Sequence, residues 1–127
     1  MAKRQSIHVA GFGHVNPIPA ACRVGNLVMS GGIAGIDPAT GKVAPTLEAQ
    51  CAFMFQHVRS IMQAAGGSTD NIIKMSVWMA DRSRRDVLNV EWLKMFPDEK
   101  SRPARHTSQA NLEGGQLINC DITAVFA

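Results

Sequence analysis

Late in the sequence, the segment RPARHTSQANLEGGQLINCDITAVFA carries the side chains best suited to chemistry. Arg105 sits in a stretch that alternates as a strand does, and Asp121 sits in a second such stretch. A guanidinium grips a carboxylate in a two-pronged contact, and a carboxylate can orient or deprotonate a water molecule. Together they suit a small anionic substrate. The plainer alternative is a solvated sheet face with a cross-strand Arg–Asp pair that contributes little. The residues alone leave both readings open.

The elements that must position these groups follow from alternation. With Gly114-Gly115 as the turn, antiparallel pairing sets position 107 opposite position 121, to within one or two residues. Ile118, Cys120, Ile122, Ala124 and Phe126 then form the apolar face of the last strand, and Asn119, Asp121 and Thr123 the other. If Thr107 faces as Asp121 does, Arg105, Thr107, Asn119 and Asp121 converge on one side of the sheet. His106 then points to the opposite side of its strand.

Upstream, QSIHVA reads as a short strand, and ACRVGNLVMSGG as two strands with a tight turn at Gly25-Asn26. Leu47, Cys51, Met54, Val58, Ile61 and Ala65 form one helical stripe, capped by Thr46 and ended by Gly66-Gly67. NIIKMSVWM reads as a central strand. SRRD offers Ser83 as an N-cap with Asp86 three residues on, and the helix it opens stops at Pro97. Both helices are apolar on one side only, so both must cover one face of a mixed sheet, an α+β layer protein. The opposite sheet face is then solvated or packed on another subunit.

Bulk properties bound the function. The 127 residues suit one domain, and 46% hydrophobic with 18% charged residues is globular composition. A net charge of +3 without any tyrosine argues against nucleic-acid binding. The cluster Arg82, Arg84 and Arg85 reads as an anion or RNA contact or, more plainly, as a solvated run. Cys22, Cys51 and Cys120 show no CxxC spacing and read as buried apolar groups. His8, His14, His57 and His106 are scattered, so no metal is predicted. His14 lies in a Gly/Pro loop where ligand contacts gather, or is simply solvated; His57 is expected at the surface or its boundary. With neither leader nor membrane segment read from the sequence, a reduced, cytoplasmic, soluble protein is expected.

From about Asn16 to Phe126 the chain resembles the YjgF/Rid family of imine and enamine deaminases. VGNLVMSGG, DPATGKV, IMQAAGGSTDNIIKMSVWMAD, LNVEWLKMFP and above all RPARHT carry the resemblance. It implies a chorismate-mutase-like α+β fold across 1–127. That fold has a mixed six-stranded sheet with two helices on one face, assembled as a homotrimer with pockets at subunit interfaces. It also implies cofactor-free hydrolysis of 2-imino or 2-enamine acids to 2-keto acids and ammonia.

Arg105 matches the arginine that holds the substrate carboxylate. Thr107 stands where the family usually has a cysteine whose backbone carbonyl positions water. Asp121 is the nearest acid to the family's water-activating glutamate, one methylene shorter, if the LEGG turn takes one extra residue. Ile18 replaces a frequent pocket aromatic, Ser30, Gly31 and Gly32 match the glycine segment, and Asn89 matches a pocket asparagine. GHVNPIPAA is similar to the 2-aminomuconate deaminase branch. The second carboxylate of that substrate would use His14, Asn16, Arg23 or His106. The alternative is a non-catalytic trimer binding ligands, proteins or RNA, or a ribonuclease-like member.

Overall fold

The computed structural model describes residues 3–11 and 16–127. His14 lies outside the described residues. The sheet is organised around β9 (Ile118–Val125), the last strand in sequence and an interior strand in space. On one side it pairs antiparallel with β3 (Leu27–Ser30) and, beyond a step, with the two-residue β4 (Ile33–Ala34). On the other side it pairs antiparallel with β7 (Ile72–Met79). β1 (Gln5–Ile7) and β2 (Ala21–Val24) extend the sheet beyond β3, and β8 (Ala104–Gln109) forms the far edge beyond β7. The path is β1-β2-β3-β9-β7-β8, with β4 added on β9. A small hairpin of β5 (Ile36–Asp37) and β6 (Lys42–Val43) stands apart.

Local signals explain most elements. Gly25 takes φ +56 at the first position of the two-residue β2–β3 turn, a conformation open to glycine. The Thr46 hydroxyl accepts from Ala49 N at 3.2 Å and starts α1 (Leu47–Ala64). The stripe Cys51, Met54, Val58 and Ile61 is fully buried. The expected Ser83 cap is not formed. Asp81 instead caps a 3-10 turn at Arg82–Arg84, accepting from Ser83 N (3.0 Å) and Oγ (2.6 Å). α2 (Arg85–Met95) follows without a side-chain cap.

α1 and α2 pack side by side over the face bearing Met75, Val77, Ile118, Cys120 and Ile122, all buried. His57 belongs to this interior and not to the surface, 4% exposed, with Nε2 2.6 Å from the Ile36 carbonyl. Gln50 is buried too. Its amide donates to Ala44 O (2.8 Å) and Gly115 O (3.2 Å) and accepts from Leu117 N (2.8 Å), so one side chain joins three segments.

The expected β8–β9 hairpin is overturned. The two strands are antiparallel, but β7 lies between them, paired parallel to β8 through a β7–α2–β8 crossover. The observed row is Asp121–Ser76–His106, not Asp121 beside Thr107. A shift of one residue exchanges the faces of a strand. Arg105 therefore stands in the row of Met75 and Ile122, and Thr107 in that of Val77 and Cys120, on the helix-covered side. Asn119, Asp121 and Thr123 face the open side, as alternation gave, and His106 shares that side.

Candidate functional site

Two groups of the expected residues assemble, at different places. The first lies on the rim strand β8. Arg105 projects towards α2, and its Cζ lies 4.9 Å from the Trp92 ring centroid. The ring is itself held edge-on by Phe96, centroids 4.8 Å apart. Arg105 Nη1 is buried and has no hydrogen-bond partner among the described residues. Among the described residues no carboxylate pairs with it. Burial draws its pKa below the usual arginine value, and the positive charge of Arg85 adds to that shift. Asn89 is exposed on α2, one helical turn before Trp92.

The backbone of β8 completes this group. Ala110 N donates to Met79 O at 3.0 Å, so even-numbered residues turn their peptide groups to β7. Arg105, Thr107 and Gln109 therefore present their N–H and C=O groups to the free edge. A carbonyl of Thr107 aimed outward beside an unpaired guanidinium can hold a water or a ligand N–H.

The second group lies across the sheet. Ser30 ends β3, where pairing with β9 steps to β4. Its Oγ accepts from Ile122 N at 2.9 Å and donates to Gly31 O at 2.8 Å. The hydroxyl thereby fills a gap in the ladder. Gly31 N donates to Ala20 O at 2.9 Å, while Gly32 is exposed with open space where a Cβ would stand. Ile18, 48% exposed, sits in the adjoining loop, and the Asn16 carbonyl accepts from Ile18 N. Ser30 and Arg105 mark the two ends of one row through Ile122 and Met75, three strand spacings or about 14 Å apart.

Asp121 joins neither group within one subunit. It is separated from β8 by β7 and faces the open side of the sheet. Burial raises its pKa. The convergence of Arg105, Thr107, Asn119 and Asp121 on one face is therefore not present in a single chain. Asn119 donates to Gln116 Oε1 at 3.0 Å. The open face also carries Val24, Leu27, Met29 and Val125, each at least 40% exposed.

Among the groups expected to hold a second carboxylate, Arg23 is occupied. Its Nη1 donates to Ala65 O and its Nε to Gly25 O, both at 2.8 Å, and it stacks on Phe126, so it ties the end of α1 to the β2–β3 turn. His106 is exposed on the open face, away from Arg105. Arg84 of the basic cluster pairs with Glu48 at 3.1 Å and Asp86 at 3.8 Å. Trp92 was not foreseen as the support for Arg105; its place on the buried stripe of α2 gave no sign of it. Among the described residues, no His, Cys, Asp and Glu side chains gather as a metal would need, and no helix is long and apolar enough to cross a membrane.

A family model described as endoribonuclease L-PSP matches residues 12–126. The chain belongs to this family. It is the YjgF/Rid family to which the RPARHT segment pointed. Within the L-PSP family, a RutC family protein of Aquifex aeolicus is 31% identical over 93 residues, covering 73% of this chain and 74% of that protein. The 2-iminobutanoate/2-iminopropanoate deaminase of Salmonella typhimurium is 28% identical over 92 residues, covering 72% of each. The crystal structure of RidA from an Antarctic Psychrobacter matches with a TM-score of 0.88 at 28% identity, over 96% of this chain and 99% of that one. The rim arginine of this L-PSP family chain thus lies in a fold shared with proteins named as deaminases of reactive intermediates.

Proposed function

We propose that the chain is a cofactor-free hydrolytic deaminase of 2-imino or 2-enamine carboxylic acids, acting as a homotrimer. One observation carries this reading: Arg105 is held against Trp92 with a buried Nη1 that nothing among the described residues satisfies. A buried donor left unpaired is unfavourable, and a bound carboxylate supplies the acceptor. The named activities of the relatives agree with it.

In the proposed pocket, the β8 rim of one subunit meets the Ile18, Ser30, Gly31 and Gly32 corner of the next. The 14 Å separation within one chain and the apolar open sheet face both favour such an assembly. Arg105 takes the substrate carboxylate in its fork. The Thr107 carbonyl accepts from a water, which attacks the imine carbon. Asp121 of the neighbouring subunit takes one proton from the water and delivers it to the imine nitrogen, giving the carbinolamine. The same carboxylate then carries the remaining hydroxyl proton to that nitrogen, the C–N bond breaks, and ammonia leaves the 2-keto acid. An enamine first takes a proton on carbon and gives one up from nitrogen to become the imine. Asn89 and Asn16 line the approach.

The proposed substrate is 2-aminomuconate, a dicarboxylic enamine. Ammonia release should be measured from 2-aminomuconate and from 2-iminobutanoate generated in situ. Arg105→Ala should abolish turnover while leaving the far-ultraviolet spectrum and assembly unchanged. Retained turnover in that variant overturns the anchor. Faster turnover of 2-iminobutanoate overturns the choice of substrate. Sedimentation checks the trimer.

A further inference from the structure

Arg85 opens α2 seven residues before Trp92. Seven residues are two helical turns, so the two side chains leave the same face of the helix, about 10 Å apart along its axis. That face packs on the sheet, since Leu88 and Trp92 between and beyond are buried. Because β7 and β8 run parallel, α2 runs back against β8, and Arg85 stands towards its Thr107–Gln109 end. An arginine thus stands at the open end of a buried stripe, on the side where Arg105 Nη1 has no hydrogen-bond partner among the described residues.

The nearby acids are engaged elsewhere. Glu48 and Asp86 pair with Arg84, and Glu91 pairs with Lys94 at 3.5 Å. Among the described residues neither Arg85 nor Arg105 has a carboxylate partner. Arg85 is close enough for its charge to disfavour the charged form of Arg105. Two like charges brought together without a counter-ion oppose folding, and a single carboxylate neutralises only one.

We propose that Arg85 is the second anion-binding residue of the Arg105 site, so that the site prefers an acid with a carboxylate at each end to one with a single carboxylate. This rests on the reading of Arg105 as the anchor. Asn89, four residues after Arg85 and three before Trp92, places an amide beside the path between the two guanidinium groups. Arg85 thus takes the role for which the sequence reading had offered His14, Asn16, Arg23 or His106.

The test is direct binding of 2-oxobutanoate, 2-oxoglutarate and 2-oxoadipate to the full-length protein, followed by calorimetry at low salt. Arg85→Gln, Arg85→Lys and Arg105→Gln are compared with wild type. At least one diacid should bind wild type about tenfold more tightly than the monoacid, as one further charge-assisted pair at a rim site would give. Arg85→Gln should bring the diacid to the level of the monoacid, lowering diacid affinity by clearly more than monoacid affinity. Arg85→Lys should restore part of the preference. No preference in wild type, or a preference that survives Arg85→Gln, overturns this inference and leaves the anchor intact. Monoacid binding that survives Arg105→Gln overturns the anchor itself.

Discussion

Replacing Arg105 by methionine should stabilise the ligand-free protein while removing its ability to bind carboxylates. The buried, unpartnered Nη1 costs about 1–3 kcal/mol. The stack on Trp92 returns about 0.5–2 kcal/mol. Methionine keeps an unbranched stem on the ring, and its sulfur contact is worth about 0.3–1.5 kcal/mol, so most of the stacking survives. The net gain is about 1 kcal/mol, or a rise in Tm of about 4 °C for a domain of this size. Thermal unfolding should be followed in a buffer free of carboxylate and phosphate, with and without 2-oxobutanoate. At a ligand concentration 100 times its Kd, wild type should gain about 2.7 kcal/mol and the variant nothing. Added salt should also narrow the gap between them, because it screens the repulsion from Arg85. A variant less stable than wild type refutes the buried-charge argument, and a variant that still responds to ligand refutes the anchor.

Two further expectations concern the interior. An alanine Cβ at Gly35 would overlap the backbone Cα and carbonyl oxygen of Gln50, and neither end of that contact is a flexible side chain. Gly35→Ala should cost about 3 kcal/mol or more in urea unfolding, and a loss under about 1 kcal/mol would show that α1 can shift to admit it. Burial pushes the Cys51 thiol up from 9.0 to about 12, with Glu91 and Glu48 adding to the shift. The folded value lies above the unfolded one, so this contribution is complete below pH 9.0 and is lost as pH rises from there towards about 12. Tm should fall over that window and fall less in Cys51→Ala. Thiolate absorbance can be followed directly because the chain has no tyrosine; equal slopes in the two proteins would remove Cys51 as the cause.

The elements with local causes were legible. The α1 stripe, its Thr46 cap and the β2–β3 turn each depend on residues a few positions apart, and each stands where the spacing put it. The apolar face of β9 followed from alternation for the same reason. Strand partners do not follow from alternation. Gly114 and Gly115 do take positive φ, but the loop they belong to passes over β7 instead of closing a hairpin. One residue of register then exchanged the faces of Arg105 and Thr107. Arg23 and His57 were misplaced because their partners, Ala65 O and Ile36 O, lie 42 and 21 residues away. Arg85 was read as part of a basic cluster, an anion or RNA contact or a solvated run; its place on the heptad of Trp92, at the end of an apolar stripe, is the sign that sets it apart from Arg82 and Arg84. The cross-subunit geometry proposed for the pocket has no local signature in any single segment.

The position of β9 has a consequence for how the chain is made. Among the described residues, the β1-β2-β3 ribbon and the β7–α2–β8 unit share no strand pairing of their own, and β9 joins them within the sheet. It is synthesised after every other strand of that sheet. Until it leaves the ribosome, the nascent chain holds two separate half-sheets, each with an interior edge of unpaired peptide groups turned to solvent. At about 5–20 residues per second that interval lasts seconds, long enough for such edges to meet other chains. Release of β9 closes both edges at once, so translation itself sets a period of exposure that ends in one step.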